Sequence, residues 1–250
     1  MDALYYKARM DNLYYKAFDI ITGAYVRLKG MRPANTCKVT QNLYAIKTGV
    51  VNFYLYKRDG TVIALDTGFN AKIITRELCS IGISPDSISA VFLSHTDFDH
   101  AGGISVFANA SIYLSHDEEQ MIRHVDVNTK PSPRARKYGF IYNRKITRPY
   151  RLLNDNEEVS IGAVKVRAIE TPGHTPGSMS YILDNTILFS GDAFKVSDGT
   201  IQPIGAFYNI DHEEHIQSIR KLAKLEGIEL VLTGHRGYLY SFGAATEYWR

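Results

Sequence analysis

Four side chains that can bind a metal ion fall within six consecutive positions of this chain. They are His95, Asp97, Asp99 and His100. The apolar residues 91–93 before them are typical of a buried strand, and open α/β folds place their chemistry where such strands end. A tight loop can divide imidazoles and carboxylates at this spacing between two metal ions. The sequence therefore predicts a metal site here, with Gly102 and Gly103 letting the backbone leave without a clash at Cβ.

Three later segments repeat a pattern of strand or turn, glycine and metal-binding residue. The candidate residues they add are His174, Asp192 and His235. Apolar residues 187–189 and 230–232 precede the last two, and His174 lies in a loop punctuated by proline and glycine. Seven candidate ligands are too many for one ion, so the sequence predicts two metal ions per chain.

These segments, in this order and with Asp66-Thr67-Gly68 upstream, resemble the metallo-β-lactamase-fold superfamily over residues 42–237. The resemblance implies an α/β fold, a four-layer αββα sandwich, in which residues 1–250 form a single domain. It implies that Asp66 hydrogen-bonds the motif loop and fixes the histidine tautomers. By the same resemblance, one ion is held by His95, Asp97 and His174, the other by Asp99, His100 and His235, and Asp192 bridges them.

The resemblance also implies a metal-dependent hydrolase that uses a metal-bridging hydroxide on a small-molecule ester, lactone or phosphodiester. Asp99 and Asp192 are its candidate catalytic residues, with Asp99 handling the proton of the leaving group. No serine or cysteine nucleophile is indicated. Two divalent ions, of zinc, iron or manganese, are the expected cofactors.

Asp97 stands where most of the superfamily has histidine. A hard carboxylate in place of imidazole favours iron or manganese over zinc. Flavodiiron proteins, which carry an acidic residue there, are the nearest parallel. They leave open an alternative function, a diiron protein that reduces oxygen or nitric oxide with a separate electron donor.

The chain length and the residues of the motifs look most similar to those of acyl-homoserine-lactone lactonases. Those enzymes carry a tyrosine three residues after the bridging aspartate, whereas this chain has Lys195. Lys195 could meet a carboxylate or phosphate, which favours an anionic substrate. No extension typical of the nucleic-acid-processing branches is visible, so the sequence does not favour a nucleic acid as partner.

Residues 123–151 form a basic insertion with nine lysines or arginines and a single acidic residue, interleaved with aromatic residues. One interpretation is a lid over an anionic substrate, with Arg134, Arg136 and Tyr138 as candidate contacts. The alternative is a solvated basic loop.

The first forty residues are an N-terminal extension in which MDALYYKA recurs almost unchanged as MDNLYYKA. We expect it to pack as an additional helix or hairpin, although a membrane-surface contact or a homodimer contact is open. The segment lacks the features of a secretory signal, and no stretch reaches transmembrane length. The net charge of +3 and the two cysteines point to no particular partner or disulfide framework. A cytoplasmic location is the expectation.

Local patterns predict the remaining elements. A helix should begin at Asn70 and end at Gly82, with Cys79 as a small buried residue beside its apolar stripe. Asp211 with Glu214 should cap a second helix, on whose first turn His212 and His215 would lie at the surface. His116 should be a surface residue at the start of a polar helix.

Overall fold

The computed structural model describes residues 2–123 and 146–250, with side chains from residue 13 onward apart from residue 27. A first sheet contains seven strands, hydrogen-bonded in chain order. They are β1 (Cys37–Lys38), β2 (Leu43–Thr48), β3 (Val51–Arg58), β4 (Thr61–Leu65), β5 (Ile88–Phe92), β6 (Ser111–Ser115) and β7 (Tyr150–Leu153). Strands β1 to β4 are antiparallel and β4 to β7 are parallel, so the carboxyl ends of the latter share one edge.

The second half of the chain forms a six-stranded sheet and a separate short hairpin. Its strands are β8 (Glu158–Ile161), β9 (Val164–Glu170), β10 (Met179–Leu183), β11 (Ile187–Phe189), the hairpin β12 (Lys195–Ser197) with β13 (Thr200–Gln202), β14 (Leu230–Leu232) and β15 (Tyr238–Tyr240). The order in the sheet is β15-β14-β11-β10-β9-β8, and β11 and β14 are parallel. The loops after these two strands therefore leave from the same edge.

Helices cover the outer faces of both sheets. The described residues form α1 (Asp2–Lys29), α2 (Ala71–Ser80), α3 (Phe98–Ala101), α4 (His116–Arg123), α5 (His212–Ala223) and α6 (Phe242–Ala245). The predicted caps are present: the Asn70 side chain accepts from the amide of Ile73 at 3.2 Å, and Asp211 accepts from that of Glu214 at 2.9 Å.

Three apolar clusters separate the layers. Tyr54 and Phe189 belong to the cluster between the two sheets. Ile74 of α2 packs with strands of the first sheet, and Ile219 of α5 packs with strands of the second. This is the predicted four-layer αββα sandwich.

Two sequence predictions about burial are wrong. Cys79 is exposed, because one helical step of about 100° turns it away from Leu78, which is buried. His215 is fully buried under the loop that carries His174, although it lies on the first turn of α5. His116 is exposed, as expected.

The described side chains of helix α1, from residue 13 onward, pack on the rest of the molecule with one face. The Phe18 ring lies 5.7 Å from that of Phe69, and Arg76 forms an ion pair with Asp19 at 3.1 Å. The opposite face exposes an apolar stripe. Its large members and their exposed fractions are Leu13 (55%), Ile20 (71%), Ile21 (68%) and Leu28 (82%).

In the described part of the chain, no helix combines the length and apolarity needed to cross a bilayer. Most of the basic insertion, including Arg134, Arg136 and Tyr138, lies outside the described residues. Its interpretation as a lid stays a prediction.

Candidate metal centre

The seven predicted ligands come from four loops that meet between the two sheets. Residues 94–97 and helix α3 follow β5, the His174 loop follows β9, and Asp192 and His235 follow β11 and β14. The turn after α3 requires glycine, since a Cβ at Gly102 would overlap the carbonyl oxygen of Phe98 and lie 2.7 Å from the Cα of Phe69. The structure thus brings all seven residues together.

The ligand atoms form two neighbouring groups. In one, Asp97 Oδ2 lies 3.6 Å from His95 Nε2 and 3.5 Å from His174 Nε2. In the other, Asp99 Oδ2 lies 3.5 Å from His235 Nε2 and 3.9 Å from His100 Nε2.

Asp192 faces both groups. Its Oδ2 lies 3.5 Å from His174 Nε2 and 3.3 Å from His235 Nε2, and its Oδ1 lies 3.6 Å from His100 Nε2. The geometry therefore matches two ions that share one carboxylate.

Each histidine is oriented through its Nδ1, which leaves Nε2 facing the centre. The Nδ1 neighbours are Ser94 Oγ at 2.9 Å for His95, Asp66 Oδ2 at 2.6 Å for His100, Asn209 Oδ1 at 3.3 Å for His174, and the Val50 carbonyl oxygen at 2.9 Å for His235. Asp66 also accepts from the amide and the hydroxyl of Ser94, at 2.7 Å each. Histidine ligands of metals are commonly oriented in this way.

Several inward-facing atoms fit a metal and little else. In the described part of the chain, His95 Nε2, His100 Nε2 and Asp192 Oδ1 are buried without a hydrogen-bond partner. A buried polar atom without a partner is costly, and metal coordination would satisfy it. Glycine is also required at position 234, where a Cβ would lie 2.6 Å from Asp192 Oδ1 and 2.8 Å from His100 Cε1. The residues present fit a pair of bound divalent ions.

The charges of the centre are strongly coupled. Burial alone would lower the pKa of His100, but the carboxylates of Asp192, Asp99 and Asp66 outweigh it and raise that pKa to about 10. The pKa of His235 is raised to about 9 in the same way, chiefly by Asp192 against the effect of burial. Burial would raise the pKa of Asp192, yet His235 and His100 hold it well below its usual range.

Glu118 of α4 is part of the site and was missed by the sequence analysis. Its buried carboxylate accepts hydrogen bonds from the amide and hydroxyl of Thr96, at 2.7 and 2.5 Å, and from the hydroxyl of Thr175 at 2.7 Å. Thr96 lies between His95 and Asp97, and Thr175 follows His174. Glu118 thus ties together the two loops that supply one ion's ligands.

A second group of residues, which the sequence analysis did not place in the site, contacts His174 at its Nδ1 side. Asn209, which lies 3.3 Å from His174 Nδ1, also contacts His212 Nδ1 at 2.9 Å. His215 Nε2 accepts from the amide of Ile204 at 3.2 Å. Burial, with smaller contributions from the nearby imidazoles, lowers the pKa of His215 to about 3, so it is neutral.

A cavity of about 130 Å³ opens beside the centre. Its walls include His174, Asp192 and His235, together with apolar residues such as Phe194 and Ile204. The candidate residue Lys195 lies in its wall, and so do Lys29, Met31 and Arg236, which sequence reasoning did not single out.

The fold and this site together define a class of protein. Residues 46–235 match the sequence profile of the Metallo-beta-lactamase superfamily. The chain belongs to that superfamily, as its motifs predicted.

Two relatives are hydrolases by name. The chain is 28% identical over 218 residues to an acyl-coenzyme A thioesterase of Gallus gallus, a match that covers 79% of this chain and 75% of the relative. It is 27% identical over 168 residues to an N-acyl homoserine lactonase of a Bacillus species, covering 65% of this chain and 61% of the lactonase.

Among solved structures, the fold is similar to that of a B3 metallo-beta-lactamase described as having an active-site glutamic acid. The TM-score is 0.66 at 19% identity, with 90% of each chain covered. These comparisons support a hydrolase of the metallo-β-lactamase fold.

Proposed function

We propose that this protein is a dinuclear metal-dependent hydrolase that cleaves an ester or lactone of an anionic small molecule, with a phosphodiester as the remaining alternative. The observation that carries the proposal is the pair of ligand groups facing Asp192, in which the buried Nε2 atoms of His95 and His100 have no hydrogen-bond partner among the described residues. His95, Asp97 and His174 would hold one ion, and Asp99, His100 and His235 the other.

When bound, two such ions lower the pKa of water to near neutrality and polarise the bond to be cleaved. The chain's own residues prepare the centre for them. Asp66 and the Val50 carbonyl orient His100 and His235. Asp99 lies at the edge of the centre, where its carboxylate can accept the water's proton and return it to the leaving group.

The substrate class rests on the relatives and on the cavity. The thioesterase and the lactonase are both named for cleaving a bond to an acyl carbon, which favours an acyl substrate over a phosphodiester. Lys195 in the cavity wall favours a negative charge on that substrate.

Metal analysis with a substrate panel tests this function. We expect anaerobically purified protein to contain close to two equivalents of zinc, iron or manganese per chain. We also expect it to hydrolyse acyl esters or lactones, and a chelator to abolish turnover. One equivalent at saturation, or hydrolysis that survives complete metal removal, would contradict the proposal.

The variant Asp97→His is the matched comparison for metal identity in this experiment. Imidazole is a softer ligand than carboxylate, so the zinc share should rise at the expense of iron and manganese. Unchanged metal shares would show that Asp97 does not select the metal.

Three expectations remain predictions from the sequence: that residues 1–250 form a single domain, that the protein is cytoplasmic, and that it has no nucleic acid partner.

We also propose that α1 mediates a homodimer. Within its exposed stripe, one line of residues alternates large and small side chains, in the order Leu13, Ala17, Ile20 and Ala24. Because these residues are spaced by four, three and four positions, the large side chains of one copy can pack over the alanines of an antiparallel second copy.

Light scattering at micromolar concentration tests the dimer. We expect a dimer for the natural sequence and a monomer for Ile20→Glu, which places a charge in the stripe. The control Tyr248→Glu changes a side chain that is 91% exposed elsewhere on the surface, and it should stay dimeric. A monomeric natural protein, whether or not it binds lipid vesicles, would overturn the proposal.

A further inference from the structure

Arg236 is a half-buried cation next to the metal centre. It follows His235 directly, and its side chain lines the cavity that also contains His174 and Asp192. Among the described residues, its guanidinium group has neither a hydrogen-bond acceptor nor an ion-pair partner. A guanidinium group is well shaped to bind a carboxylate or a phosphate through two parallel hydrogen bonds.

The other charged groups around Arg236 are mostly positive. Lys195 of the β12–β13 hairpin and Lys29 at the end of α1 line the same cavity. Arg32 adds a further positive charge near Arg236, while Asp198 and the candidate ligand Asp192, which also lines the cavity, are negative. Within the described residues Lys195 also makes no ion pair.

Gathering cations in a partly desolvated wall is unfavourable unless a negative charge is brought to them. The protein keeps this arrangement within reach of the candidate ligands His174, Asp192 and His235, where a substrate must bind. The apolar residues Phe194, Ile204 and Met31 line the rest of the cavity. The cavity therefore suits a molecule with an apolar body and an anionic group.

We propose that Arg236 and Lys195 form a subsite that binds a carboxylate or phosphate group of the substrate, with Lys29 and Met31 closing the cavity from the N-terminal segment. This inference rests on the proposed hydrolase function and adds where the anion binds. Arg236, Lys29 and Met31 lie outside residues 46–235, which match the superfamily profile. Lys195 lies within the matched range, and Arg236 directly follows it.

Two esters with the same leaving group test the subsite in the metal-loaded protein. They are the 4-nitrophenyl monoester of glutarate, which carries a carboxylate, and 4-nitrophenyl butyrate, which is neutral. We expect Arg236→Gln to raise KM for the glutarate ester about tenfold or more, the effect of losing one charge-assisted hydrogen bond. KM for the butyrate ester should change less than about twofold, and kcat should change little for either ester.

Lys195→Gln should act in the same direction. The control is Lys224→Gln, which removes a cation at the C-terminal end of α5. Metal content and thermal midpoint are measured for each variant, so that misfolding is not mistaken for a lost contact. If the two esters respond equally to Arg236→Gln, or neither responds, the subsite is overturned while the hydrolase function stands.

A binding experiment keeps the inference testable if no ester is hydrolysed. Calorimetric titration of the metal-loaded protein compares glutarate, 3-phosphonopropionate and butyrate. The first two should bind at least about tenfold tighter than butyrate, and Arg236→Gln should remove that difference. The relative affinity of glutarate and 3-phosphonopropionate then distinguishes a carboxylate subsite from a phosphate subsite. Failure of hydrolysis with retained discrimination would overturn the reaction only, and equal affinity of all three acids would overturn the subsite.

Discussion

Replacing Asp192 by asparagine is expected to lower hydrolysis by about a thousandfold and to reduce metal content below two equivalents per chain. Among the described residues, Asp192 is the one carboxylate that faces Nε2 atoms of both ligand groups, at 3.3 to 3.6 Å. Metal ions supply several kcal/mol of transition-state stabilisation, and each 1.4 kcal/mol corresponds to about a factor of ten in rate. Asparagine keeps the shape of the side chain but removes the charge that both ions would share.

The measurement is kcat/KM on the best acyl ester, together with elemental analysis of the same sample. Asp59→Asn, on the exposed turn after β3, makes the same chemical change away from the centre and should leave both values unchanged. Two retained ions and a rate within about tenfold of the natural protein would show that Asp192 bridges nothing of catalytic importance.

Replacing Glu118 by leucine is expected to weaken metal binding by about 10- to 100-fold. Residues that hold metal ligands in place typically have effects of this size. Glu118 accepts three hydrogen bonds from Thr96 and Thr175, and the loss of its carboxylate would free the loops that carry His95, Asp97 and His174. Competition with a chromophoric chelator measures the affinity.

The conservative variant Glu118→Gln keeps the acceptor for Thr96 and should lose less affinity than Glu118→Leu. Glu119→Gln changes a neighbouring residue that contacts Tyr150 at the surface, and it should have no effect. The stability of the metal-free variants separates two possible roles of Glu118, stabilising the fold and positioning the metal ligands. A leucine variant that is less stable but binds metal as tightly as the natural protein would contradict a positioning role.

The ligand loops could be predicted from the sequence because their metal-binding residues lie directly after recognisable strands. His95 to His100 follow a recognisable buried strand, and Asp192 and His235 each follow an apolar run and a glycine. The parallel pairing of β11 with β14 then aligns the ends of two of these strands. The roles of these residues as ligands are still a prediction.

The supporting residues could not be predicted because their partners are distant in sequence. Glu118 looks like an ordinary charged residue until the fold places it against Thr175, and Arg236 does so until the fold places it in the cavity wall that Lys195 also lines. His215 was misplaced for a related reason: the first turn of a helix is often solvated, but the His174 loop covers this one. Helical periodicity identifies which stripe of a helix is buried, but it does not define whether residues at the margin of that stripe are buried or exposed. Cys79 lies at this margin, and its burial was therefore predicted wrongly.

The four ligand-bearing loops come from both sheets, so the order of assembly of the centre is constrained. An unfolded chain can offer a metal ion only the local cluster from His95 to His100, because bringing distant loops together costs conformational entropy. The full set of seven exists only after the two sheets have packed around Tyr54 and Phe189. Metal loading would then follow the packing of the two sheets, and an ion bound in the full centre would hold one half of the molecule against the other.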